Sequence, residues 1–74
     1  MERVMLEQHL AQAEEHIILG ERHIVRQREL VAALERDGHD TTEAKRLLTI
    51  FKKLQALHLT ECDRRRRELD AQSG

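Results

Sequence analysis

Histidine is the residue type in this chain best suited to chemistry, because imidazole binds metal ions and haem iron and exchanges protons near neutral pH. His9, His16 and His23 follow one another at intervals of seven residues. On a helix, seven residues correspond to a rise of about 10.5 Å, whereas zinc holds its ligands at about 2.0–2.3 Å. These histidines therefore cannot share an ion on one straight helix, and any site needs ligands from another element.

The second half of the chain supplies the candidate partners. His58 and Cys62 are four residues apart, which is a workable ligand spacing on a helix. The candidate metal or haem cluster is therefore His16, His23, His58 and Cys62. However, the sequence contains no HExxH, ExxH, CxxC or CxxCH pattern. We favour histidines that line the edge of a packed helix, with no metal and no cofactor; a pH-sensitive packing edge is a further alternative.

Catalytic residues are not predicted. Cys62 is the single cysteine, and its neighbours Glu61 and Asp63 disfavour a thiolate, although the arginines that follow oppose this effect. No Ser/His/Asp or Cys/His arrangement can be argued from the spacing, and a thin helical bundle offers little pocket. We expect that the protein is not an enzyme.

The elements that carry these residues are predicted to be two long helices. The chain has no proline, three glycines and one aromatic residue in 74 residues, and 36% of its residues are charged. This composition is typical of long helices or coiled coils. In the first half, two columns of residues alternate at spacings of three and four, as packed helices require. One column is Leu10, Ile17, Ile24 and Val31, and the other is Leu6, Ala13, Gly20, Gln27 and Leu34. We predict a helix over residues 3–37.

The segment RDGHDTTEAKR interrupts the first helix. Gly38 suits the left-handed position just past a helix end. Asp40 is a good N-cap residue, and Glu43, three positions later, completes a capping-box pattern. We therefore predict a turn over 38–40, a second helix over 41–70 and a frayed tail over 71–74. So short a turn makes the helices antiparallel neighbours.

The fold class predicted is all-α, an antiparallel two-helix hairpin that resembles a coiled coil. Its register is expected to pair Val31 with Leu47, Ile24 with Leu54, and Gly20 with His58. The predicted hairpin core consists of Leu10, Ile17, Gly20, Ile24, Val31, Leu34, Leu47, Phe51, Leu54 and His58.

More apolar surface is present than one seam between two helices can bury. Such groups lose about 1.5–3 kcal/mol each when left in water instead of fully buried. A second copy could cover them, so we expect a homodimer that forms a four-helix bundle. The predicted oligomer interface consists of Ile18, Val25, Ile50 and Leu57.

The most basic stretch of the chain is Arg64–Arg67, which could contact phosphates. Asp63, Glu68 and Asp70 bracket it, and no aromatic residue is present nearby for base stacking. The net charge is −1, so nucleic-acid binding is only the alternative function. The chain also lacks a run of about 20 apolar residues and a signal-peptide pattern; we expect a cytoplasmic protein without a membrane partner.

The stretch HIVRQRELVAALERDGHDTTEAKRLLTIFKKLQALH, residues 23–58, resembles a group of small helical proteins of rhizobia and related alphaproteobacteria. The shared features are HI-x-RQ in the first helix, an LERDGHDT-like turn and an LH pair near the end of the match. The resemblance covers about half of the chain. It implies a bacterial, cytosolic helical hairpin, and no activity or binding residue carries over from it.

The function predicted from sequence is that of a small self-associating helical module with a structural or regulatory role. It would bind its own copy, and another protein, by helix packing. Nucleic-acid association through Arg64–Arg67 is the second alternative, and metal or haem binding through interhelical histidines is the third.

Overall fold

Two helices form the molecule in a computed structural model that describes residues 2–73. Helix α1 spans Glu2–Arg36 and helix α2 spans Thr42–Ser73. They pack against each other along their length, and residues 2–73 contain no strand. The Cα atoms span 56 × 14 × 14 Å. This confirms an all-α fold of two packed helices.

The turn between the helices is a Schellman motif, in which backbone amides just past α1 close back onto its last carbonyls. The N–H of His39 donates to the carbonyl of Leu34 at 2.9 Å, and that of Gly38 donates to Glu35 at 3.2 Å. Gly38 has φ +73°, a conformation that glycine adopts without steric cost. Gly38 thus adopts the left-handed conformation predicted from the sequence.

Helix α2 begins differently from the predicted capping box. Oδ1 of Asp40 accepts hydrogen bonds from the backbone N–H of Thr42 at 2.9 Å and from its hydroxyl at 2.7 Å. These bonds lower the pKa of Asp40, the backbone bond most. Within residues 2–73, the carboxylate of Glu43 pairs with Arg46 at 3.3 Å and forms no hydrogen bond with Asp40. The helix therefore starts at Thr42 on a single aspartate cap.

The end of α2 lies beyond the predicted position. Helix continues through residues 71–73, where the sequence predicted a frayed tail. Ala71 and Gln72 favour helix, and the chain has no glycine or proline that would stop it before Gly74. Gly74 itself lies outside the described residues.

The seam between the helices follows an unbroken three-and-four spacing on both sides. On α1 it uses the predicted columns, with Ala13, Gln27 and Val31 buried. On α2, Gln55 and Cys62 are buried, whereas Leu47 and Leu54 are exposed. The prediction of Leu47 and Leu54 as core was therefore wrong. The seam residues of α2 are Ala44, Leu48, Phe51, Gln55, His58, Cys62, Arg65 and Leu69.

Two glutamines explain why the seam takes this course. The side-chain amide of Gln27 donates to the carbonyl of Ala44 on α2 at 2.9 Å. Conversely, the amide of Gln55 donates to the carbonyl of Ile17 on α1 at 2.9 Å. Burying an amide destabilises the folded state less when its N–H has a hydrogen-bond acceptor. Each helix thus contributes one buried glutamine that donates a hydrogen bond to the backbone of the other helix.

The register also differs from the expected one. Gly20 faces Gln55, not His58, and a Cβ built on Gly20 would overlap the amide oxygen of Gln55. Ion pairs also join the two helices, Lys45 with Glu35 at 3.2 Å near the turn and Arg66 with Glu14 at 3.6 Å towards the other end. The remaining predicted core residues, Leu10, Ile17, Gly20, Ile24, Leu34, Phe51 and His58, are half-buried, and Val31 is buried.

Candidate interaction surface

The histidines lie along one side of the seam, as edge residues. The rings of His16 and His58 are 5.4 Å apart between centroids and tilted by 43°. His23 packs instead on Phe51, with 5.7 Å between centroids. This side of the hairpin, which we call the histidine face, also carries His9 and, on α2, Leu54.

The structure does not assemble the candidate metal cluster. Cys62 is buried and lines the opposite face, together with Ile17 and Leu59. His23 packs on Phe51, so that His16 and His58 remain as a pair of neighbouring rings. Within residues 2–73, no three histidine, cysteine, aspartate or glutamate side chains are grouped so that they could hold a metal ion. The cluster fails because its members fall on both sides of the seam.

Glu61 is the acidic side chain that lines the same groove as His9, His16 and His58. Its carboxylate pairs with Arg64 and Arg65, each at 2.8 Å. A hydrogen bond from Arg64 makes the largest contribution to holding the pKa of Glu61 below its usual range, and the charge of Arg65 adds to it. Glu61 is therefore an ionised partner of the arginines.

The arginine run forms a network of ion pairs with neighbouring acids. Arg64 and Arg65 each pair with Glu61 and Glu68. Arg66 pairs with Glu14 of α1 at 3.6 Å, and Arg67 pairs with Asp63 at 3.8 Å. All four guanidinium groups thus have a carboxylate partner. This arrangement is typical of a charge-matched, solvated helix surface.

The largest unexplained feature is a row of exposed aliphatic side chains on α2. Leu47, Ile50, Leu54 and Leu57, which we call the leucine stripe, follow a three-four-three spacing and are 41–64% exposed. Leu54 shares a groove with Gly20 and His23, so the stripe belongs to the histidine face. A stripe of this spacing is the seam pattern of a coiled coil, yet within residues 2–73 nothing covers it.

Helix α1 extends the same apolar surface. Leu19 lines a groove with His16, His23 and His58. Leu30 lies seven residues after His23, on the same side of α1, and both leucines are exposed. The histidine face therefore carries aliphatic side chains from both helices, as a helix of a four-helix bundle does at the positions next to its first seam.

The four residues predicted as an oligomer interface are all exposed but do not form one surface. Ile50 and Leu57 belong to the leucine stripe. Ile18 lies on the opposite face, in a groove with Leu59, and Val25 follows it in a groove lined by charged side chains. The prediction missed Leu47 and Leu54, because these were placed in the hairpin core.

Comparison with protein-family models, with curated proteins and with solved structures finds no match to this chain. Among residues 2–73, neither helix combines the length and apolar character that crossing a membrane requires. The exposed leucine stripe is therefore the feature of residues 2–73 that most clearly indicates a binding surface.

Proposed function

We propose that this protein is a small self-associating helical module. Its role is structural or regulatory: it binds another helix through the histidine face and performs no catalysis. The observation that carries the proposal is the leucine stripe, a regular coiled-coil pattern on the outside of a hairpin whose own seam lies elsewhere.

The weakness of the hairpin's own core supports this proposal. Among the side chains of residues 2–72, the buried apolar ones are Ala13, Val31 and Cys62, and none is completely buried. By contrast, the large aliphatic side chains of the leucine stripe remain in water. Full burial of an exposed side chain of this size contributes about 1.5–3 kcal/mol. Each residue of the stripe, at 41–64% exposure, would gain the corresponding part of it against a further pair of helices. A four-helix bundle provides such burial.

A pair of matched substitutions tests which face associates. Leu57 in the stripe is 64% exposed and Val25 on the opposite face is 52% exposed, so neither supports the isolated hairpin strongly. We expect Leu57→Glu to weaken self-association about a hundredfold or more, because a twofold dimer loses the side chain twice. Val25→Glu should leave the dissociation constant nearly unchanged.

Sedimentation equilibrium over a wide range of concentrations measures both constants, and circular dichroism verifies that both variants remain helical. A chain that stays monomeric at the highest concentrations would overturn self-association. A dimer that Val25→Glu dissociates and Leu57→Glu does not would assign the interface to the opposite face.

A further inference from the structure

The charges at the two ends of the leucine stripe have opposite signs. Glu43, Ile50, Leu57 and Arg64 recur every seven residues along α2 and therefore lie in one column. The column has an exposed acid at its N-terminal end, two exposed aliphatic residues in the middle and an exposed base at its C-terminal end. Leu54 lies near its midpoint, eleven residues after Glu43 and ten before Arg64.

Two copies of this column place acid beside base only when they run in opposite directions. We propose that the leucine stripe is covered by the leucine stripe of a second copy of this chain, running antiparallel, with a twofold axis near Leu54. The inference rests on the proposed function and adds the identity and direction of the partner helix. In a parallel pair, Glu43 would meet Glu43 and Arg64 would meet Arg64, which like-charge repulsion disfavours.

The antiparallel pairing matches every member of the column. Glu43 of each copy lies beside Arg64 of the other, and Ile50 beside Leu57. Leu54 meets its own equivalent at the axis, as an isologous interface requires. Glu43 and Arg64 are about 31 Å apart on one helix, so they cannot pair within a chain. At present Glu43 pairs with Arg46, and Arg64 pairs with Glu61 and Glu68, all on α2. Such pairs at the surface are weak enough to admit a second partner.

Helix α1 would complete the bundle. Leu54 and His23 line the same groove, so a twofold axis near Leu54 also brings the α1 helices of the two copies together around His23. Leu19 and Leu30 lie before and after His23 along α1 and are exposed on this side. The two hairpins would then form an antiparallel four-helix bundle with an aliphatic interior between them.

A charge exchange tests the direction of the pairing. We expect Glu43→Arg and Arg64→Glu each to weaken the homodimer about fivefold or more at low salt, because each places like charges together at both ends. The double variant should recover the original affinity. A mixture of the two single variants should form heterodimers in preference to either homodimer, because only the mixed pair has opposite charges at both ends.

Glu21→Arg, on the opposite face beside Val25, is the matched control and should leave the dissociation constant of the homodimer unchanged. Native mass spectrometry or sedimentation with one fluorescent copy measures the mixtures. Single variants that associate as tightly as the original chain, or a mixture without heterodimer preference, would overturn the antiparallel column.

Disulfide formation tests the position of the axis. In a Cys62→Ala background, which removes the single native cysteine, Leu54→Cys should oxidise to a dimer linked through its own equivalent. Val25→Cys in the same background is the control and should remain largely unlinked. If the chain is dimeric by sedimentation but Leu54→Cys does not link, the twofold arrangement is wrong and self-association stands; a chain monomeric at all concentrations removes both.

Discussion

Gln55 and Gly20 form the closest fit between the two helices. The amide nitrogen of Gln55 reaches the carbonyl of Ile17, and its oxygen lies where a side chain on Gly20 would begin. That oxygen has no hydrogen-bond partner within the described residues. The bare α-carbon of Gly20 is therefore a condition for burying Gln55, although glycine weakens the helix around it.

Substitution of Gly20 should reveal this coupling. Gly20→Ala alone gains about 0.5–1 kcal/mol of helix preference, but it displaces a buried amide whose hydrogen bond contributes about 0.5–1.5 kcal/mol. In a Gln55→Ala background the displacement cost is absent. We expect Gly20→Ala to be more favourable there by about 0.5–1.5 kcal/mol, the contribution of the hydrogen bond that is no longer displaced.

Denaturant unfolding followed by circular dichroism, at one protein concentration, measures the four members of this cycle. Additive effects, within about 0.5 kcal/mol, would show that Gly20 and Gln55 do not depend on each other.

Asp40 gives the hairpin a dependence on acid. Its hydrogen bonds with Thr42 hold the pKa of the carboxyl below its usual range. The folded state therefore binds a proton less readily than the unfolded state, and the resulting stability is present above the ordinary carboxyl range and lost as pH falls through the lowered pKa.

Asparagine can accept the same hydrogen bonds as aspartate, but it lacks the negative charge that strengthens them at a helix N-terminus and does not titrate in acid. We expect the melting temperature of the original chain to exceed that of Asp40→Asn at neutral pH and to lose this advantage as the solution is acidified. Melting curves from about pH 7 to pH 2 measure the difference. A difference that stays constant across this range would contradict the role given to the carboxylate.

At the scale of the helices, α1 could be interpreted almost completely from its sequence. Its two apolar columns follow a single three-and-four alternation, and the structure uses the same columns. The turn could also be located, because Gly38 is the one interior residue that combines a positive-φ preference with an interruption of the pattern. The predicted start of α2 was one residue too early, because Asp40 caps the helix from two residues before Thr42.

Helix α2 could not be oriented in this way, because it carries two overlapping stripes. Both alternate regularly and share Ala44, Phe51 and His58. One continues through Leu47 and Leu54, and the other through residues 48, 55 and 62. Apolar character favoured the first, whereas the structure uses the second. The deciding interactions are specific ones, a glutamine amide on a backbone carbonyl and on a glycine, and hydrophobic periodicity does not register them.

The junction between the helices can be tested at Gly38. Alanine at φ +73° has a cost of about 1–2 kcal/mol that glycine does not have. We therefore expect Gly38→Ala to lower the melting temperature by about 4–16 °C. Gly38→Asn should be closer to the original chain, because asparagine tolerates the left-handed region better.

Scanning calorimetry at a fixed concentration compares the three proteins. Since a Cβ on Gly38 would meet no other atom within 4 Å, any loss reports backbone conformation alone. Equal melting temperatures for the alanine and glycine proteins would contradict this account.

As a whole, the molecule is a narrow rod in which two buried glutamines link the helices and several large aliphatic side chains, those of the leucine stripe among them, remain exposed. The seam is thin because its residues include two glutamines, a glycine, two alanines and a cysteine. The leucine stripe follows from the same choice, because burying Gln55 turns Leu54 outward. The composition of the seam and the exposure of the leucine stripe thus both follow from the orientation of α2 about its own axis.

The antiparallel arrangement of the helices determines where groups attached to this module would lie. Residues 2 and 73 lie at the same end of the rod, and the turn lies about 56 Å away. In an antiparallel pair of hairpins, each pole would present the chain ends of one copy beside the turn of the other. Anything attached to the two copies would then be held apart at opposite poles, so the pair would act as a spacer of fixed length.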